Sequence, residues 1–365
     1  MKKIICFVGS MNAGGAETFL MKIYRRIDKT KYQFDFIVST KDECFYDKEI
    51  LALGGHLYYV PPKSKNPFLS FWHSYKVIKN HQYVAALRMT SHSLGVLDLL
   101  VAKLAGVHTL VLRSTNAGNT GGKISRILHQ VFSFLPRNIP TVKFAPSELA
   151  AEYLFGKDDV LHHKVQILHN ALPLNDYVFD GNIREQKRKE LEINKTQLLI
   201  GHVGRFNIQK NHAFLIDVFY RVQNKVPSAM LLLVGTGEEE QHIKNKIHEL
   251  GIEEKVIFAG VRRDVPQLFM AMDVLVFPSI FEGMPNVVIE AQATGLPCLI
   301  SDKITKEAVL NDNVEMLSLD DQEPWVKRVC ELPCDGNREF YNKNLEKQGY
   351  DIDEVASIFQ KDCFL

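Results

Sequence analysis

The sequence predicts an α/β protein made of two doubly wound units, each a parallel sheet with helices on its faces. Three observations predict it. Short apolar runs of strand length alternate with helical segments, which is the pattern of successive β-α-β units. The alternation runs to about Asn170, gives way to the hydrophilic stretch Asp180 to Lys195, and restarts at Leu198. Finally, 365 residues are many for a single core, so two domains are expected.

In the first half, Lys3 to Val8 reads as the opening strand, followed by a glycine loop at Gly14-Gly15 and a helix start. Phe34 to Ser39, Gly55 to Pro61 and Tyr83 to Met89 follow as strands. A helix is expected from Leu94 to about Ala105, then a strand at Thr109 to Leu112 that ends in Arg113-Ser114-Thr115-Asn116. Thr141 to Ser147 is a sixth strand, and Ser147 opens a helix. Lys164 to Asn170 closes the half. In the second half the strands are Leu198 to Gly204, Ala229 to Gly235, Lys255 to Gly260, Val274 to Phe277 and Leu296 to Ser301. A terminal helix is expected around Asp353 to Lys361.

A composition of 46% hydrophobic and 24% charged residues is ordinary for a soluble globular enzyme. The formal net charge of +1 gives no global argument for nucleic acid. Cysteines 6, 44, 298, 330, 334 and 363 show no paired metal spacing. Cys6 and Cys298 sit in apolar runs, which suits buried thiols in a reducing compartment, and a cytoplasmic location is expected. Lys2-Lys3 precedes an apolar run too short for a signal peptide. The run Leu94 to Leu112 is broken by Asp98, Lys103 and His108, so it is no membrane span.

The most informative stretch is Phe281 to Pro297, which follows the strand ending at Phe277-Pro278. Pro285 suits a first helical turn, and Gly295 with Pro297 reads as the stop. Glu282 then lies in a loop, and Glu290 lies one turn into a helix, in line with Asn286. Both carboxylates can face the crevice at the carboxyl end of a sheet. The amides of Gly283, Met284, Asn286 and Val287 surround the positive end of the helix, which suits a phosphate. A loop Glu and a helix Glu by themselves are more often solvated.

Glu282 and Glu290 have the Glu-x7-Glu spacing, and they stand within Pro278-Ser279, Glu282-Gly283, Pro285 and Glu290-Ala291. This pattern resembles the family-4 retaining glycosyltransferases of GT-B fold. The resemblance implies two Rossmann-like domains facing across a cleft. An acceptor-side domain is expected over 1–171, a donor-binding domain over 172–350, and a helix over 351–365 crossing back to the first. It implies that Glu290 holds the ribose hydroxyls and that Glu282 meets the sugar ring. Gly14-Gly15-Ala16-Glu17 is similar to an element that lines the cleft in many members.

Gly204-Arg205-Phe206 with Gln209-Lys210-Asn211 looks like the family element whose two cations bind the donor diphosphate. A departing diphosphate gains negative charge, and fixed cations stabilise it. Gly235-Thr236-Gly237 lacks the third glycine of a dinucleotide fingerprint, and Glu238-Glu239-Glu240 would repel a pyrophosphate there. The family places it at the nucleoside edge. Arg262 lies in a segment similar to the one whose backbone reads the base, and its side chain is otherwise a solvated cation.

The first half departs from the pattern. Where many members have a His after the fifth strand, this chain has Arg113. Arg113, Asn116 and His92 are acceptor or cleft candidates, against the reading of a structural Arg and a packed His. His162, His163 and His169 do not have metal spacing, and Asp351-Ile352-Asp353 reads as a helix cap rather than a metal platform. No metal and no cofactor are expected. Lys63, Lys65, Lys76, Lys79, Lys123, Arg126, Arg137 and Lys143, with Phe68, Phe71, Trp72, Phe132, Phe134 and Leu135, suit peripheral attachment to the inner face of an anionic membrane. Ordinary helix surfaces and core aromatics would explain them as well.

The expected activity is metal-independent, retaining transfer of a hexose from a nucleotide-diphospho-sugar, with a UDP-sugar favoured. The resemblance to capsular and exopolysaccharide branches implies a glycan or lipid-linked acceptor. A GT-B nucleotide-sugar epimerase and a non-catalytic sugar-nucleotide-binding subunit are the alternatives.

Overall fold

A computed structural model describes residues 1–364 apart from 13, 117, 119–121, 333–337 and 339; Ala13 of the first glycine loop and Cys334 lie outside the described residues. The chain divides into two compact units, Met1–Leu172 together with the segment from Gly349, and Pro173–Gln348. Leu172 and Tyr350 stay with the first unit for a local reason. Leu172 N–H donates to Tyr350 O at 2.9 Å, and Ile352 N–H donates to Leu172 O at 3.0 Å.

The first unit holds strands β1 (Lys2–Phe7), β2 (Tyr32–Val38), β3 (Leu57–Tyr59), β4 (Ala85–Thr90), β5 (Thr109–Ser114), β6 (Val142–Ala145) and β7 (Gln166–Ile167). They form one sheet in the order β3-β2-β1-β4-β5-β6-β7, with parallel pairing. Both faces are covered, so the strands are apolar on both sides. Ile4 and Cys6 of β1 enter a core with Phe19, Leu20 and Tyr24 of the Gly15–Arg26 helix. Ile5 and Phe7 enter a second core with Ile78 of the Pro67–Asn80 helix and Leu99 of the Leu97–Leu104 helix. The terminal helix Ile352–Cys363 packs Val355, Ala356 and Phe359 into the first of these cores. The ring of Phe359 lies 6.0 Å from that of Phe34.

The second unit holds β8 (Leu199–Val203), β9 (Met230–Val234), β10 (Val256–Gly260), β11 (Val274–Phe277), β12 (Cys298–Ser301) and β13 (Val314–Leu317). Their order is β10-β9-β8-β11-β12-β13, again parallel. The order reverses between β8 and β11, which is the switch point where open α/β sheets leave a crevice. Strand β13 was not anticipated. It is an edge strand of half-buried residues, and its Glu315 carboxylate pairs with Arg328 at 2.6 Å. A charge in a four-residue run hides the apolar signal.

The caps follow the sequence. Ser147 Oγ accepts from Ala150 N–H at 3.3 Å, and Asp351 Oδ1 accepts from Asp353 N–H at 2.6 Å. The helix expected from Leu94 begins as a 3-10 turn, Ser93–Val96, before Leu97–Leu104. No helix among the described residues is long and apolar enough to cross a membrane.

Candidate active site

Two loops leave the carboxyl ends of β8 and β11 in the second unit, and hydrogen bonds tie them together. Asn207 starts a 3-10 turn, Ile208–Lys210, by accepting from Lys210 N–H at 3.0 Å. Asn211 then takes φ +56°, a left-handed conformation that Asn tolerates. Ile280 N–H donates to Gln209 O at 2.8 Å, and Gln209 Nε2 donates to Phe281 O at 2.6 Å. Glu282 also makes a parallel bridge to Ile304, past the end of β12.

This framework brings Lys210 Nζ to 2.6 Å from Glu282 Oε1. Both side chains are mostly buried, 16% and 13% exposed, so neither is a freely solvated surface charge. Ser279 Oγ donates to the same Glu282 oxygen at 3.3 Å. Lys210 Nζ lies 4.4 Å from the centre of the Phe277 ring. The aromatic face, the serine and the carboxylate together hold the ammonium at the sheet end.

The helix Asn286–Ala293 begins four residues after Glu282, with Pro285 at its N-cap and no side-chain cap. The positive end of this helix is therefore not covered by a side-chain cap, and such an end suits an anion. Glu290 is half-buried on this helix. Tyr177 is buried within its electrostatic reach, and burial first, then the Glu290 charge, raise the phenol's pKa.

Arg205 is not at the Lys210–Glu282 pair. Its guanidinium is 70% exposed and pairs with Glu238, 3.0 Å away, on the loop after β9. That loop is laced to the one after β8. Phe206 N–H donates to Thr236 O at 3.0 Å, and Glu239 N–H to Phe206 O at 3.0 Å. Gly235, at φ +132°, has no room for a Cβ, which would fall 2.1 Å from Gly204 O; a Cβ on Gly237 would fall 2.3 Å from Phe206 O. Close loop packing therefore explains both glycines. Arg262 is committed to Asp264 and Glu190 at 2.6 and 2.8 Å, so its side chain belongs to a surface ion network.

Two histidines that were not singled out in the sequence lie beneath Lys210. His202 of β8 is fully buried, stacks on Phe277 at 5.4 Å, and its Nδ1 bonds Val276 O at 2.9 Å. His212 packs edge-on against His202 at 4.5 Å and face-on against Phe206 at 4.2 Å. Burial, the larger cause, and the nearby Lys210 charge hold the His212 pKa down to about 4. Burial likewise lowers that of His202 well below its ordinary value. Both are neutral floor residues near neutral pH. A His inside an otherwise apolar parallel strand was the available signal.

Of the candidates in the first unit, Arg113 and His92 have partners within that unit. Arg113 is buried, stacks on Phe19 at 3.7 Å, and donates to Leu168 O and Asn170 Oδ1, both at 2.8 Å. Burial lowers its pKa. His92 caps the Ser93–Val96 turn through Nδ1, and its Nε2 bonds Ser125 O at 2.9 Å. Asn116 is exposed. Gly14 caps the Gly15–Arg26 helix, and a Cβ on Gly15 would meet open space. Among the described residues no group of three or more His, Cys, Asp or Glu side chains could hold a metal ion.

The model of the family described as glycosyl transferases group 1 matches residues 183–331, which contain this arrangement. EpsF of Bacillus subtilis (strain 168), a glycosyltransferase by name, is 34% identical over 363 residues, 97% of this chain and 94% of that protein. An Escherichia coli protein named UDP-Gal:alpha-D-GlcNAc-diphosphoundecaprenol alpha-1,3-galactosyltransferase is 24% identical over 299 residues, 78% of this chain and 77% of that one. The solved structure of HepE from Anabaena in complex with UDP superposes with a TM-score of 0.79 at 18% identity, covering 99% of each chain. The two doubly wound parallel sheets are those of a GT-B fold.

Proposed function

The chain belongs to the group 1 glycosyl transferases, and on that premise we propose that it transfers a hexose, with retention, from a nucleotide-diphospho-sugar. The acceptor is a glycan or lipid-linked oligosaccharide of a surface polysaccharide. The observation that carries the reading is the Lys210–Glu282 contact at the β8–β11 switch point, beside the open start of the Asn286–Ala293 helix. It sets a cation, a carboxylate and a helix N-terminus without a side-chain cap where a sugar diphosphate needs them.

In this reading Lys210 and the helix amides meet the diphosphate, and Arg205 joins them by leaving Glu238. Glu282 then accepts hydrogen bonds from the sugar, and Glu290 from the ribose. The bond from the anomeric carbon to the phosphate oxygen breaks as its negative charge is stabilised. The acceptor oxygen bonds to that carbon on the same face, and its proton passes to the departing phosphate. Cations and a helix end take the place of a divalent metal. UDP is the favoured nucleotide, supported by the E. coli relative's name and by the UDP complex of HepE.

A lipid-linked acceptor calls for a membrane surface, and the helix Lys123–Val131 suits one. Ile124, Ile127, Leu128 and Val131 are exposed on it, with Lys123 and Arg126 alongside. Sedimentation with anionic vesicles tests this contact, and recovery of the protein only in the supernatant would refute it. Lys143, by contrast, is buried against Asp159 at 2.6 Å and is no part of such a surface.

The reading as a whole is tested by offering labelled nucleotide sugars in the presence of EDTA. A UDP-sugar should bind saturably and release UDP. Failure of every nucleotide sugar to bind, or turnover only after Mn²⁺ is added, would overturn it.

A further inference from the structure

We propose that Gln209, an exposed residue with no charge of its own, is a positioning residue for the transfer: it clamps the loop that carries Lys210 to the loop that carries Glu282. The inference rests on the reading of those two residues given above.

Gln209 immediately precedes Lys210, and its two partners, Ile280 and Phe281, immediately precede Glu282. It holds them at two points. Its carbonyl oxygen accepts from Ile280 N–H at 2.8 Å, and its side-chain Nε2 donates to Phe281 O at 2.6 Å. The first bond uses the main chain, so most residues at 209 could make it. The second needs a side chain of this length that ends in a donor. Phe281 O can only accept, which fixes the amide with its NH2 toward that carbonyl. Ile280 and Phe281 are 46% and 52% exposed, so the clamp joins two surface loops and closes no core. An exposed glutamine gives up rotamer freedom to be held in this way.

Between residues 204–211 and 278–285, the other hydrogen bond among the described residues is the Lys210–Glu282 contact itself. Ser279, the further donor to Glu282, lies on the same loop as Glu282. The Ile304 bridge ties that loop to the segment past β12, not to the loop after β8. On the reading above, donor binding sends the ammonium to the diphosphate and the carboxylate to the sugar, so the Lys210–Glu282 contact opens as the substrate arrives. Gln209 then supplies the hydrogen bonds that remain between the two loops. Their spacing matters most at that stage, because the donor touches both. Misplacement of catalytic groups by about 1 Å can lose on the order of a hundredfold in rate.

Two substitutions test the clamp in the full chain. Gln209→Met keeps the length and removes the donor. Gln209→Glu keeps the shape and turns an oxygen toward Phe281 O. Release of UDP from UDP-glucose and UDP-galactose gives the rates, calorimetry gives the affinity for UDP, and hydrogen exchange follows the Ile280 amide with UDP bound. The kcat should fall tenfold or more in Gln209→Met and further in Gln209→Glu, with UDP affinity changed less than threefold and the melting temperature unchanged. Combined with Lys210→Gln, Gln209→Met should cost less than it does alone, since it acts through that residue. Exchange at Ile280 should be at least tenfold faster in both variants. Rates near the original in both variants, a loss that multiplies in full with that of Lys210→Gln, or unchanged exchange would overturn the proposal. Normal turnover by Lys210→Gln and Glu282→Gln would instead sink the reading of the site, whereas an impaired Lys210→Gln beside fully active Gln209 variants would refute the clamp alone.

Discussion

Lys210 Nζ lies 2.6 Å from Glu282 Oε1, although 72 residues separate the two in the chain. The contact exists because β8 and β11 are neighbours in the sheet and each is followed by one of the two loops. In the absence of donor, each charge neutralises the other. When donor binds, the proposal sends the ammonium to the diphosphate and the carboxylate to the sugar.

Removing the cation tests half of that division. Lys210→Gln should lower kcat more than it raises the donor KM, since the contact strengthens as the diphosphate departs. The loss should be on the order of 2.7–4 kcal/mol of transition-state stabilisation, about a hundred- to a thousandfold in rate. Steady-state release of nucleotide measures it. A variant that folds normally and turns over at nearly the original rate would remove Lys210 from the mechanism.

Glu290 makes a binding prediction instead. A carboxylate offers a charged acceptor oxygen to each of two hydroxyls, whereas the amide of Gln is neutral and turns a donor NH2 toward one of them. Glu290→Gln should therefore weaken binding of free UDP, with no sugar present. Unchanged affinity in calorimetry would show that this helix position does not hold the ribose.

The loop lacing predicts a stability effect at Gly235. Alanine there would place a Cβ 2.1 Å from Gly204 O, at φ +132°. The conformation alone costs roughly 1–3 kcal/mol for a residue with a side chain, and the clash with backbone adds to it. Gly235→Ala should melt several degrees lower by calorimetry. An unchanged transition would mean that the two loops are not held as described.

The buried His212 ties stability to pH. Its folded pKa is held at about 4, below the ordinary 6.5, because burial disfavours the charged ring. The unfolded chain therefore takes up the proton first. The stabilisation from this residue is complete above about 6.5 and is lost as pH falls from there toward 4. His202, shifted the same way, steepens the fall. Urea unfolding of the wild type and of His212→Phe should diverge in slope over that interval. Parallel pH profiles would contradict a neutral buried ring.

Much of this was legible because it is local. The apolar runs mark the strands, and the segment Phe281 to Glu290 carries its own cap, loop and helix in order. Pairing at a distance was not legible. Nothing in Arg205 announces Glu238, and nothing in Arg113 announces the carbonyl of Leu168 that it serves. Gly235 and Gly237 stand by resemblance at the nucleoside edge, and nothing in their sequence announces the loop after β8 that lies where a Cβ on either would fall. Such residues acquire meaning only from their neighbours across the sheet.

The central claim is transfer with retention at a site made from Lys210, Glu282 and a helix end. The most direct measurement is the anomeric configuration of the product, by NMR, from an α-linked UDP-sugar and the acceptor the enzyme accepts. The account predicts an α-linked product, formed equally well in EDTA and formed far more slowly by Glu282→Gln. A β-linked product would contradict it.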